Sequence, residues 1–249
     1  MSIIPGIWND QKDFIPFWCK IIVVVGICFA ILVILVSLTI WILVYFKSSK
    51  KQISFSNKNL FDKLKANYKY IDLKIYYGTA KRYNNHFNYI ASKEELHLSK
   101  KFEESSSGQS AMLVFYNFIS IIELKEKKSN FWSNLIFSQL FSIIGTFLNI
   151  FIAIISNFIS PGYEILLVGE SYAIVSITGV VLIMIGWMWW TIVFMKLNKK
   201  IKEIAEPIIK EDDFKYIISN FKLLALCPFG INTTVKKIRK TSNPEIESN

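Results

Sequence analysis

Two histidines, His86 and His97, are the chain's first candidates for metal or proton chemistry. A zinc hydrolase places two imidazoles four residues apart on one helix face, with a glutamate between them as the base. No HExxH occurs, and there is no GxxxxGK[ST], GxGxxG or GxSxG. His86 and His97 would share one side of a hairpin if its turn had suitable parity, for example at Ser92-Lys93, but no third ligand accompanies them. The plain reading is two polar strand residues. Ser105 to Ser107 could resemble a nucleophile loop, yet no base lies near in sequence, which favours a solvated loop. Cys19, Cys28 and Cys227 are odd in number and lack metal-ligand spacing, so they read as reduced thiols. No cofactor or metal is expected from these residues.

The elements that would carry such groups are dominated by long apolar runs. Of the 249 residues 52% are hydrophobic, more than an ordinary soluble domain holds, and mean hydropathy is positive. Ile21 to Phe46 is free of charge, longer than the roughly 20 residues a bilayer requires, and bounded by Lys20 and Lys47. It is expected to be a transmembrane helix over 21–46, after a short extracytoplasmic N-terminus, 1–20. Those first residues have no basic leader region and no small-residue cleavage site, so a cleaved signal peptide is not expected. Phe131 to Ile159 is a second run, with Asn134, Gln139, Asn149 and Asn157 set to face other helices. Tyr172 to Met195 is the third, ending in Trp187, Trp189 and Trp190. Indoles prefer the water–lipid boundary, so these three are candidate membrane-face anchors; a packed aromatic end of a bundle is a compatible alternative. No Asp/Glu pair sits inside a run, where it would suggest an ion path.

Net charge is +10, and only Arg82 and Arg239 among the 29 basic residues are arginine. Nucleic-acid recognition favours the planar arginine fork, so lysine-dominated charge beside apolar runs points instead to the cytosolic face of a membrane. Residues 47–131 hold 16 basic and eight acidic residues, the tail after Met195 holds 11 and seven, and the loop 160–171 has Glu164 and Glu170 but no lysine. The expected fold is thus an α-helical integral membrane protein of about three transmembrane helices, multi-pass in the cell membrane. A small α+β cytosolic domain, 47–130, is inserted between the first and second spans. The N-terminus and 160–171 lie outside, and 196–249 is a basic cytosolic tail. The stretch 217–231 is apolar but short and broken by Lys222 and Pro228, which suggests an interfacial or re-entrant segment.

Within 47–130, Ser56 to Asn67 reads as a helix capped by Ser56 or Asn57. Tyr70 to Tyr77 reads as a strand, and Phe87 to Ile90 and Glu95 to Leu98 as two more. Gln109 to Leu124 is a helix too short to span and too apolar to be solvated all round; it should be the domain's buried centre or lie on the membrane surface.

This order of features resembles the YugP-type neutral zinc metallopeptidases of bacterial membranes, which have an N-terminal span, a small domain, a helix bearing HEVGH, further spans and a short EFDAS-like motif. The stretch HFNYIASKEELHLSKKFEESSSGQSAMLVFYNFISIIE, from His86, is similar to the family's DHYDP…LSEEV…GRSIAAIAVAAHEVGHAIQ, with Leu98-Ser99 on its LS. The tail KLNKKIKEIAEPIIKEDDFKYIISNFKLLAL is similar to ASRRALRALEELGLLDEEEL…ARKVLRAAAL. Shared order covers most of the chain, while shared identities are few. Counted from Leu98-Ser99, the family's HExxH falls on Tyr116, Asn117, Phe118, Ile119 and Ser120, so Tyr116 and Ser120 replace the zinc histidines and Asn117 the catalytic glutamate. The acidic EFDA positions fall on Phe194, Met195, Lys196 and Leu197. The resemblance therefore implies a scaffold that kept its order and lost its metal site. The first expectation is a non-catalytic pseudo-peptidase with a binding or assembly role at the cytosolic membrane face. Its partners would be the lipid bilayer and another membrane protein or an intact peptidase. The alternatives are an active membrane zinc metallopeptidase with unrecognised ligands, and a small transporter or channel subunit using Asn134, Gln139 and Asn149.

Overall fold

Three helices follow directly from the three apolar runs: α1 (Phe17–Lys50), α5 (Phe131–Phe158) and α6 (Gly169–Ala205). The computed structural model describes residues 17–68, 72–78, 88–90, 93–126, 131–158 and 169–227. Stretches within α1, α5 and α6 are long and apolar enough to cross a membrane. The remaining elements are α2 (Asn57–Asn67), β1 (Lys74–Gly78), β2 (Asn88–Ile90), β3 (Glu95–Ser99), α3 (Lys100–Glu103), α4 (Gly108–Glu126) and α7 (Glu211–Leu224). The chain divides into two units: the first holds α1 up to Thr39, 132–193 and the residues from Leu226; the second holds Ile40–Phe131 and Phe194–Ala225.

In the first unit, α5 runs antiparallel to α6 along a seam of small and polar residues. A Cβ on Gly145 would lie 2.4 Å from the Gly179 carbonyl oxygen and 2.8 Å from the Ile183 nitrogen, so the backbones touch there. One on Gly186 would lie 2.4 Å from Ser142 Oγ and 2.6 Å from the Ser138 carbonyl oxygen. α1 runs parallel to α6, as two clusters show. Val23, Ile27 and Ile152 pack with Tyr172 and Val175, and Ala30, Val33 and Ile183 pack with Phe29 and Trp187. The serine and threonine hydroxyls that α5 brings to the seam are satisfied inside their own helix: Ser142 Oγ donates to the Ser138 carbonyl and Thr146 Oγ1 to the Ser142 carbonyl.

The second unit is built around α4. Ala111, Val114, Phe115, Phe118, Ile119 and Ile121 are each at most 2% exposed, so this helix is the buried centre rather than a surface element. α2 packs on one flank through Leu60, Phe61 and Leu64, capped by Ser56, whose hydroxyl accepts from the Asn59 N–H. α7 packs on another through Ile217, Phe221 and Leu224. Its first turn carries Glu211, Asp212 and Asp213, which suit the positive end of the helix dipole. The sheet has the order β1-β3-β2, with β1 parallel and β2 antiparallel to β3. Leu96 and Leu98 of β3 point into the core, while Tyr76 and His97 share the opposite face.

Several boundaries differ from the sequence reading, and α1 extends to Phe17 and Lys50, four residues past each end of 21–46. The first strand begins at Lys74, four residues after Tyr70. α6 continues ten residues past Met195, because Leu197, Ile201, Ile204 and Ala205 bury an apolar stripe in the second unit although charges surround them. The lysines end the apolar surface there but leave the helix intact. Residues 1–16, most of the loop 160–171 and the tail beyond 227 lie outside the described residues, as do His86, Arg82 and Arg239.

Candidate functional site

The positions aligned with the zinc motif lie in the middle of α4, all buried: Tyr116 2%, Asn117 1% and Ser120 0% exposed. Helical spacing stacks Tyr116 and Ser120 on one face. Ser120 Oγ donates to the Tyr116 carbonyl at 2.6 Å, and Asn117 Nδ2 donates to the Leu113 carbonyl at 2.7 Å. Both polar groups are thus folded back on their own helix. Burial pushes the Tyr116 phenol well above the ordinary tyrosine range, so it stays protonated. A neutral phenol, a hydroxyl and an amide spent on backbone carbonyls do not fit zinc, which takes imidazole, thiolate or carboxylate. Phe194 and Leu197, on the positions of the acidic motif, are 0% and 1% exposed core residues, while Met195 and Lys196 face outward. Among the described residues no three His, Cys, Asp or Glu side chains gather where a metal could be held.

His97 sits on β3 opposite Asn88, the register that a Ser92-Lys93 turn implies. Its Nε2 lies 3.2 Å from Glu95 Oε2, and its ring stacks on Tyr76 with centroids 5.2 Å apart. His86, the other half of the conceivable histidine pair, lies outside the described residues. On the far face of the sheet the Tyr77 phenol is raised above its usual range by burial first, and then by the carboxylates of Asp62 and Glu103.

Two polar clusters in the second unit were not anticipated. Glu123, 5% exposed at the end of the apolar helix, forms an ion pair with Lys200 of α6, whose side chain is half exposed; the second carboxylate oxygen, Oε2, has no hydrogen bond. Glu123 is the one acid within 109–124, and that isolation was a signal that a cation must answer it. Asp213 Oδ2 accepts from both the N–H of Ser54 (2.9 Å) and its hydroxyl (2.6 Å). That carboxylate fixes the strap 51–57, which also pairs with the start of α4: the Ile53 N–H donates to the Ser106 carbonyl and the Gly108 N–H to the Lys51 carbonyl. A Cβ at Gly108 would lie 2.8 Å from the Tyr216 ring, which would have to shift to admit it. The sequence offered no hint of this pair, because 159 residues separate its members.

In the first unit the candidate membrane-face tryptophans are packed. Trp190 is fully buried, Trp187 joins the Ala30–Val33–Ile183 cluster, and the Trp189 ring lies 5.9 Å from that of Phe141. Asn149 and Gln139 are buried. Asn149 Nδ2 donates to the Gly145 carbonyl, and its Oδ1 accepts from Ser176 Oγ at 2.8 Å, tying α5 to α6 beside Gly26 of α1. Gln139 and Asn149 are the buried amides of the proposed polar path, and Asn149 is committed to helix–helix bonding.

No protein-family model matches the chain, and no curated protein and no solved structure matches it.

Proposed function

We propose that the protein is an integral membrane protein with a non-catalytic binding or assembly role at the cytosolic membrane face, a relative of the YugP-type peptidases that has lost their zinc chemistry. The carrying observation is the state of Tyr116, Asn117 and Ser120: buried, with Asn117 and Ser120 bonded to the carbonyls of their own helix. α4 then serves as the core of a supporting domain, and its partner is another membrane protein, such as an intact peptidase.

The membrane reading is supported by where apolar surface is exposed. Among the described residues nearly all large exposed hydrophobics lie on α1, α5 and α6. On α6 they run from Ile174 to Met195, a span of about 32 Å at ~1.5 Å per residue, close to the ~30 Å hydrocarbon core. On α1 they end at Phe46 and on α6 at Met195, each followed directly by an exposed lysine, Lys47 and Lys196. In this reading 47–130 and the tail from 196 lie in the cytosol, where lysine is favoured.

The test is zinc content and peptide hydrolysis of the detergent-purified full chain. Substoichiometric zinc and no hydrolysis are expected. Stoichiometric zinc that disappears in His86→Ala or His97→Ala would overturn the reading in favour of an active metallopeptidase.

A further inference from the structure

We infer that the C-terminal end of α7 and the turn after it enter the bilayer as a re-entrant element, with Leu223 and Leu226 covered by lipid acyl chains. The inference rests on the membrane reading above and takes α1 as its ruler. The exposed apolar surface of α1 ends at Phe46, and Lys47 begins the polar side. Cys227 Sγ donates to the Ser37 carbonyl oxygen at 3.1 Å. Ser37 precedes Phe46 by nine residues, about 14 Å along a helix and so near mid-depth of a ~30 Å core. Cys227 is completely buried at that level.

The other end of α7 belongs to the aqueous side. Asp213 holds Ser54, and the Tyr216 ring lies 6.0 Å from the Lys51 ammonium, both partners beyond Lys47. From Asp213 to Cys227 the chain covers about 21 Å if helical, enough to pass the level of Phe46. The surface changes accordingly. Lys215 and Glu211 at the start of α7 are exposed and paired with each other, whereas Leu223 and Leu226 are 40% and 46% exposed, three residues apart on one side. Lys222 is exposed beside them, and its four-carbon stem allows the ammonium to reach the headgroups. Hydrocarbon also demands that backbone N–H groups be satisfied. The helix supplies these bonds as far as Ala225, whose N–H donates to the Phe221 carbonyl. Acyl chains are the occupant these observations favour, since the leucines lie next to a contact seated inside an apolar span.

Spin labels at single cysteines test this in the full chain, reconstituted into phosphatidylcholine–phosphatidylglycerol vesicles after Cys19, Cys28 and Cys227 are changed to serine. Leu223→Cys and Leu226→Cys are compared with Met184→Cys on α6 as the lipid reference and Lys215→Cys as the aqueous one. Both leucine sites are expected to behave as Met184→Cys does, with relaxation by oxygen several-fold stronger than by a water-soluble nickel chelate. If they follow Lys215→Cys while Met184→Cys remains in lipid, the re-entrant element is wrong and the spans stand. If Met184→Cys is itself open to nickel, the membrane reading fails as well. Shielding of the leucine sites from both reagents means that protein covers them, which also overturns the inference.

Discussion

Glu123 shows most plainly how one residue's chemistry shapes this molecule. Its carboxylate is buried and Lys200 is the cation that answers it. Lys200→Met strands that charge, and a loss of about 2–4 kcal/mol is expected, somewhat below a fully buried pair because the lysine is half exposed. Denaturation in detergent measures it, and adding Glu123→Gln should restore most of the loss; an unchanged single variant would show the pair to be idle. Gly145→Ala makes a second residue-level case. The new methyl would meet the backbone of Gly179 and Ile183, which cannot swing aside, so about 1–3 kcal/mol of destabilisation is expected. Asn149→Leu removes the acceptor of Ser176 and should cost about 1 kcal/mol, the usual size of such bonds between membrane helices. Melting temperatures of both variants in one detergent check the order, with the glycine substitution the more harmful. At this scale the sequence was partly legible. The burial of Asn149 and Gln139 follows from amides in apolar runs, but their partners do not, because Ser176 lies 27 residues from Asn149 and only packing brings them together.

At the scale of elements, helices were readable wherever periodicity or a cap was local. Ser56 announced α2, and the alternation in Glu95 to Leu98 announced β3. α4 was legible as too apolar to be solvated all round, and α2 and α7 packed against it bear that composition out. The tail of α6 was not legible from hydropathy, because lysines surround Leu197, Ile201 and Ile204; only their i, i+4, i+7 spacing marks the stripe. The candidate site was legible only through the resemblance to the peptidases; that Asn117 and Ser120 bond to their own helix needed the fold. The strap 51–57 gives a prediction proper to this scale. Asp213→Ala leaves the Ser54 N–H and hydroxyl without their acceptor, a cost of about 1.5–3 kcal/mol for bonds to a charged group. Amide exchange at Ser54 and its neighbours should rise by one to two orders of magnitude, on that same scale, while exchange in the centre of α4 stays slow. Equal acceleration in both would mean that Asp213 supports the whole domain instead.

For the whole molecule, composition carried the most. Three apolar runs foretold three long helices, and the lysine distribution is what the proposed sidedness rests on. Two expectations follow from the proposed topology. The protein should resist alkaline carbonate extraction from membranes, and Lys-directed protease added outside intact cells should spare 47–130 and the tail. Cleavage at Lys58 or Lys215 under those conditions would reverse the orientation. The division into two units, with α1 and α6 each contributing to both, could not be read from the runs, since hydropathy marks where lipid is tolerated and says nothing of which residues meet inside.

The Gly26 notch has a consequence for how the chain is made. It is filled by Ser176 and Asn149, and Ser176 lies 154 residues after Ile22, the neighbour whose carbonyl it reaches. At ~5–20 residues per second of synthesis, about 8 to 30 s pass before the ribosome delivers the side chain that closes the first span's groove. Asn149 and Ser176 emerge almost together, only 27 residues apart, so both partners of Gly26 reach it long after α1 itself has been made.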